Sequence, residues 1–535
     1  MTHGMVCAPQ PEAVEAGVLA LKAGGNAVDA AIACALMQTV VDPQMSGIAG
    51  FGGAHLYLPG KGVHGLIDFH GRAPAKATPD MWADLLERET EDGFGFVLKG
   101  QVNDLGYRAA TTPGSLKAFH EVLARHGTLS WRQVVEPAIA TAEDGFAIRP
   151  HVYDFWSRSE GLGLVDPIER LRFSPSGRRI YFRADGTLRP LGSILRNPDM
   201  ARTLARIAAE GPEVFYEGEI AHAIADDMAA NGGLLGLGDL VGYRAEDTAP
   251  LWGEYRGHRI ATNQPPGGGI MVVQMLHILE NFDLAALGHN TPAYIRVVAE
   301  AMKRATIDKD RYVGDPRFVD VPIARLTDKA TARAQAGEIE RGEVAHVPRV
   351  ATGAESKDTT HVCAVDEHGN VVSMTHSLGM SSGAITEGLG FMYNNCMGVF
   401  DPRPGHTGSI APGKARFTSM APTIVFQGDA PLIALGAPGA THIAMGILQV
   451  ILNVIDFAMS MSDAVAAPRF AATSDIVDVT NRIPRFVTAE LEAQGYEIRR
   501  SYRSYHIAGV HGIEIRDGRW HGGADPGRDG VALQV

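Results

Sequence analysis

The 535-residue sequence predicts an α/β protein, and three observations carry that expectation. Small apolar residues recur at helical spacing near the N-terminus. Helical patterns dominate from about 115 to 310. The chain after 359 is rich in short β-like runs. The length exceeds that of an average domain, and it also accommodates one large α/β unit with insertions.

The elements follow in order. Residues 11–23 and 26–40 show helical spacing, separated by "AGGN" at 23–26, a glycine stop followed by a new start. Such Ala-rich helices pack closely against a sheet. "GAHLYLPGKGVHGLIDF" (53–69) reads as two strands joined by a Pro/Gly turn. "SLKAFHEVLARHG", "MARTLARIAAEG", "EIAHAIADDMAANGG" and "GIMVVQMLHILENF" then form a helical layer, inserted or packed outside the sheet. Residues 328–358 are charged and polar and read as an exposed, mobile segment. "TTHVCAVD", "VVSMTHS", "TIVF" and "PLIALG" read as strands, followed by the helix "THIAMGILQVILNVIDF". "DPRPGHTGSIAPG" (401–413) is a Pro/Gly loop too long for a simple turn.

The bulk properties exclude several classes. A net charge of −13 argues against nucleic acid or an anionic membrane surface as the main partner. The four cysteines, Cys7, Cys34, Cys363 and Cys396, have no metal or disulfide spacing and read as buried free thiols. No metal or cofactor is expected. The N-terminal stretch lacks a basic region followed by an apolar one. The longest apolar run is broken by Asp29 and Gln38, so the chain reads as cytoplasmic. "SGIAGFGGAHLYL" does not have dinucleotide-binding glycine spacing, and its glycines precede a strand.

The stretch from 356 to 377, "SKDTTHVCAVDEHGNVVSMTHS", holds the chemistry. "DEHGN" (366–370) separates two β-like runs and suits a hairpin loop. If Val365 faces Val371, then Thr360 faces His376, and Thr359 faces Ser377. Two hydroxyls then meet across the strands. One reading is a Thr–Ser pair that merely stabilises the hairpin. The other makes Thr359 a nucleophile. A threonine hydroxyl needs a base, and a threonine at a chain start supplies its own α-amine, of pKa near ~7.7–8.0. That requires scission between Asp358 and Thr359.

The chain resembles the γ-glutamyltransferase (γ-glutamyltranspeptidase) family of the N-terminal-nucleophile hydrolases. The resemblance rests on "GGNAVDAAIA", "DFHGRAPAKAT", "TTPGS", "GEYRGHRI", "PPGGGI", the hairpin stretch, "TSMAPTIV" and "GAPGATHI", in that order. It implies a four-layer αββα sandwich and a precursor that cleaves itself into residues 1–358 and 359–535, held in one globule. It implies Thr359 as nucleophile, Ser377 as its supporting hydroxyl, and Gly439 and Ala440 as backbone donors to the oxyanion. Thr418 and Ser419 match its substrate-carboxylate hydroxyls. Asn394 and Asn395 match an Asn pair, structural as easily as catalytic. The 401–413 loop falls where some members carry a lid, and a plain surface loop fits equally. The implied partners are a small-molecule amide and the two subunits of one precursor. The oligomeric state is not legible.

The departures concern the amino-acid head of a γ-glutamyl donor. His70 stands where the family has arginine, and Arg72 lies two residues on. In "NNCMGVF", Gly398 and Val399 stand where an acid for the α-ammonium is expected. Gly379 replaces an asparagine. Burying an ammonium without a partner costs several kcal/mol. The donor is therefore either the family's γ-glutamyl amide or an amide whose acyl group lacks a free α-ammonium. A third reading is an unprocessed relative that binds a ligand without turnover.

Overall fold

Alternation along the strands builds the core. The computed structural model describes residues 1–90, 93–159, 161, 163–348, 359–505 and 507–535. In the strand Thr360–Asp366, Val362 and Ala364 join the cluster made with helices Pro11–Lys22 and Ala27–Val41. Cys363 and Val365 join Ile424, Phe426 and Ala434 of a second sheet. The period of 2 thus sends alternate residues to a helical layer and to an inter-sheet layer.

The first sheet has seven strands. Their order is Val531–Gln534, Gly4–Ala8, Thr360–Asp366, Val371–Ser377, Phe51–Leu58, Val63–Phe69 and Glu246–Thr248, all antiparallel to their neighbours. The second has six, in the order Arg519–Ala524, His511–Arg516, Ala430–Gly436, Thr423–Gln427, His258–Thr262 and Leu251–Tyr255. On its outer side Ile260, Val425, Ile433 and Leu435 pack with helices Gly269–Leu279, Pro292–Tyr312 and Ile443–Ile455. The layers are helix, sheet, sheet, helix, as the resemblance implied.

The two polar residues that interrupt the apolar run 27–41 have defined partners. Asn26 and Asp29 form a reciprocal N-terminal cap, and Asp29 also accepts from the Thr128 and Leu129 N–H groups. Gln38 donates to Thr360 Oγ1 at 2.8 Å and accepts from His376 Nε2 at 2.8 Å. These bonds pin the helix to the back of the hairpin.

Two expectations need correction. The region 115–310 is not purely helical: "GEYRGHRI" contributes Leu251–Tyr255 and His258–Thr262, two strands of the second sheet. Short alternating runs between long helical ones carry too few residues for their period to stand out. The polar stretch 328–358 begins with a helix, Lys329–Glu340, which buries Ala332, Ala336 and Ile339. That is a narrow apolar face on an otherwise charged helix. The remainder, 349–358, including Asp358, lies outside the described residues. Among the described residues no helix is long and apolar enough to cross a membrane, and the four cysteines are buried free thiols.

Candidate active site

The hairpin has the register read from the sequence: Val365 pairs with Val371, and Thr360 with His376. One step further out, Thr359 Oγ1 donates to Ser377 Oγ at 3.3 Å, and both residues are buried. Ser377 Oγ also accepts the Gly379 N–H at 2.8 Å. The Thr359 carbonyl accepts from Arg528 Nη1 at 3.3 Å. Alternation separates the two threonines. Thr360 turns its hydroxyl toward the helical layer, to Gln38 and Gln10, while Thr359 lines a cavity at the sheet end.

The two imidazoles of the hairpin are weak bases. Burial pulls His361 and His376 down to about 3. Burial also pushes the Cys363 thiol well up. Among the described residues of the hairpin no carboxylate is bonded to the Thr359 hydroxyl, and a threonine at a chain start carries its own amine as base.

The cavity wall opposite Thr359 comes from three loops. Ala440 belongs to the turn into the helix Ile443–Ile455, with φ +140° at Gly439 and +45° at Ala440. Thr418 and Ser419 come next. Their backbone is gripped by "PPGGGI": Thr418 N–H donates to the Pro266 carbonyl, and Gly268 N–H to the Met420 carbonyl, both at 2.9 Å. A Cβ on Gly268 would sit 2.4 Å from the Ser419 carbonyl oxygen, so close approach demands glycine there. Asn395, Gly398 and Val399 complete this side.

Of the residues singled out from sequence, the structure brings Thr359, Thr418, Ser419, Asn395 and Ala440 to one cavity. Gly439 adjoins it. The Asn pair divides. Asn394 is spent on the fold, accepting from Thr111 and donating to the Ala49 and Thr111 carbonyls. Asn395 accepts from Met380 N–H at 2.6 Å and donates to Asp104 at 3.1 Å.

His70 and Arg72 are not on this wall. His70 Nδ1 lies 2.5 Å from Asp68 Oδ1, and Arg72 pairs with Glu246 at 2.8 Å. The strand Val63–Phe69 ends just before them, and the following backbone runs between Thr112 and Ala415, with the Arg72 side chain directed to Glu246. The 401–413 loop is tied down by Arg403–Asp401, Arg403–Glu89 and Lys414 to the Thr407 and Ser409 carbonyls. It forms the wall of an adjoining cavity that shares Phe94 and Val399 with the first.

Two charged lining residues are not among those singled out from sequence: Asp104 and Arg416. Arg416 had a signal, a lone arginine two residues before Thr418 in the apolar "ARFTSMAP". Asp104 had none. Among the described residues no group of three His, Cys, Asp or Glu side chains is placed to hold a metal ion.

Four layers with a hydroxyl pair at the head of the central hairpin define the architecture of the N-terminal-nucleophile hydrolases. The chain belongs to the γ-glutamyltranspeptidase family, whose model matches residues 13–535. It is an enzyme of the hydrolase and transferase type. The "Acylase ACY 1 proenzyme" of Pseudomonas sp. (strain SE83) is 39% identical over 538 residues, spanning 100% of this chain and 94% of that protein. The "Glutathione hydrolase proenzyme" of Escherichia coli (strain K12) is 35% identical over 485 residues, spanning 88% and 80% respectively. Among solved structures, cephalosporin acylase from Bacillus halodurans superimposes with a TM-score of 0.88 at 29% identity, covering 99% of this chain and 96% of that one.

Proposed function

We propose that Thr359 is the nucleophile of a self-processed amidohydrolase or acyltransferase, and that its donor carries no free α-ammonium. The carrying observation is the 3.3 Å Thr359–Ser377 hydroxyl contact inside a cavity that also holds Ala440, Thr418 and Ser419. In the precursor the Thr359 hydroxyl attacks the Asp358 carbonyl carbon. The C–N bond breaks, the Thr359 nitrogen takes the proton, and water hydrolyses the resulting ester. The freed amine then accepts the proton of its own hydroxyl as that oxygen attacks a donor amide. The Ala440 N–H faces the developing oxyanion, an interaction worth roughly 3–4 kcal/mol per donor. The leaving amine departs, and water or a second amine releases the acyl group.

Residues 1–358 and 359–535 stay together after scission, because their strands alternate. Thr360–Asp366 lies against Gly4–Ala8, and Val371–Ser377 against Phe51–Leu58. Separating the subunits means tearing the first sheet apart at its centre.

The choice of donor follows from charge. Gly398 and Val399 sit on the wall where an ammonium partner is expected. The acid present, Asp104, is already bonded by Arg170 at 2.6 Å, by Asn395 and by the Val165 N–H. An ammonium placed here faces a saturated carboxylate.

Mass spectrometry and N-terminal sequencing of purified protein test the processing. Two chains are expected, the second beginning Thr-Thr-His-Val, and Thr359→Ala should stay one inactive chain. A Thr359→Ala protein that still splits at this bond, or a fully active single chain, sinks the assignment. Comparing γ-glutamyl anilide with its desamino analogue, glutaryl anilide, tests the donor. A strong preference for the γ-glutamyl compound refutes that half.

A further inference from the structure

Arg416 is a buried guanidinium with an unbonded Nε. It is 4% exposed and stands on the cavity wall with Thr359. In two other deeply buried arginines every guanidinium nitrogen is bonded. Arg170 bonds the Val165, Asp104 and Ser381 carbonyls and the Asp104 carboxylate. Arg469 bonds the Ile507, Val465 and Ala508 carbonyls and Asp525. Arg416 donates from Nη1 to the Phe417 carbonyl at 2.9 Å, and its buried Nε has no hydrogen-bond partner. Among the described residues no carboxylate lies within ion-pair distance of it. The thiol beside it, Cys396, is pushed up by burial, partly offset by the charge of Arg416 and a hydrogen bond from it, so Arg416 meets a thiol there and not an anion.

The group is held in place nonetheless. Its Cζ lies over the Phe51 ring, 4.7 Å from the centroid, and over the Phe94 ring at 5.4 Å. Nη2 lies 3.8 Å from the point where a Cβ on Gly379 would stand, beside the residue that supports the Thr359–Ser377 pair. A preorganised, poorly solvated cation with spare donors is a carboxylate receptor awaiting its ligand.

We infer that Arg416 is the specificity-determining residue of this site and binds a carboxylate carried by the acyl group of the donor. The donor class is then the mono-amide of a dicarboxylic acid. The inference rests on the proposal that this cavity is the donor site. Arg416 takes the part that the sequence reading offered to His70 or Arg72.

The test measures hydrolysis of glutaryl anilide and of pentanoyl anilide, which has a methyl group in place of the carboxylate. Arg416→Gln should lower kcat/KM for glutaryl anilide by about 10- to 150-fold, mainly through KM, since a hydrogen bond to a charged group is lost. Pentanoyl anilide turnover should hold or rise, and Arg416→Lys should restore part of the glutaryl activity. Equal loss on both donors with processing intact, or no loss on glutaryl anilide, overturns the inference. A second measurement does not need turnover. Glutarate should raise the melting temperature of the wild-type protein and of Thr359→Ala, but not of Arg416→Gln. Stabilisation by glutarate with no activity would leave Arg416 standing and reject Thr359 as nucleophile. Stabilisation that survives Arg416→Gln would reject Arg416.

Discussion

Replacing Ser377 with alanine removes one buried oxygen that serves two donors. Ser377 is 0% exposed, and its Oγ accepts from Thr359 Oγ1 at 3.3 Å and from Gly379 N–H at 2.8 Å. The first bond is long and, in the proposed mechanism, orients the attacking hydroxyl. The second fixes the turn at Gly379. Losing an acceptor for a buried donor costs about 1–3 kcal/mol. If that loss falls on the transition state for scission, processing slows by about 5- to 150-fold. Freshly translated precursor followed by denaturing electrophoresis gives the rate directly, and donor hydrolysis by the cleaved fraction gives the effect on turnover. Ser377→Thr keeps a hydroxyl and should lie between the two. If Ser377→Ala cleaves and turns over within a factor of two of wild type, the hydroxyl pair is only a strand-end contact.

Two further outcomes are expected. Gly379 has φ +69°, and a Cβ there would lie 2.6 Å from Asn395 Oδ1, which holds the Met380 N–H. Gly379→Ala therefore combines left-handed strain with a displaced Asn395, and should destabilise by about 2–4 kcal/mol in denaturant titration. An unchanged midpoint refutes this. Stability should fall on acidification. Burial holds His55, His361 and His376 near 3, whereas unfolded imidazoles titrate near ~6.5. Between those values the unfolded chain binds the extra protons, so their contribution is complete above about 6.5 and is lost below it, at about 1.4 kcal/mol per pH unit for each group. Asp42, raised by burial to about 6, has the opposite sign and offsets one of the three. Denaturation midpoints at pH 7.5, 6 and 5 should decline in that order, and equal midpoints at 7.5 and 5 would contradict the sign.

The sequence by itself determined what is local or counted along one strand. The pair sum across "DEHGN" places Thr359 opposite Ser377, because an antiparallel register propagates without reference to the rest of the fold. The order of motifs is enough for the family and its four layers. Which strand edge, loop or helix turn reaches the cavity is another matter. His70 and Arg72 follow a strand end and are steered away by Thr112, Ala415 and Glu246, residues remote in sequence. Asn394 and Asn395 are adjacent, yet one is consumed by Thr111 and the other faces the cavity. Arg416 and Asp104 meet in one pocket because separate loops converge there. Whether a buried charge is neutralised depends on its partners in space, so Asp104 is quenched by Arg170 while Arg416 keeps its donors. No periodicity in the chain encodes that distinction. It exists only once the layers have closed and the solvent has been excluded.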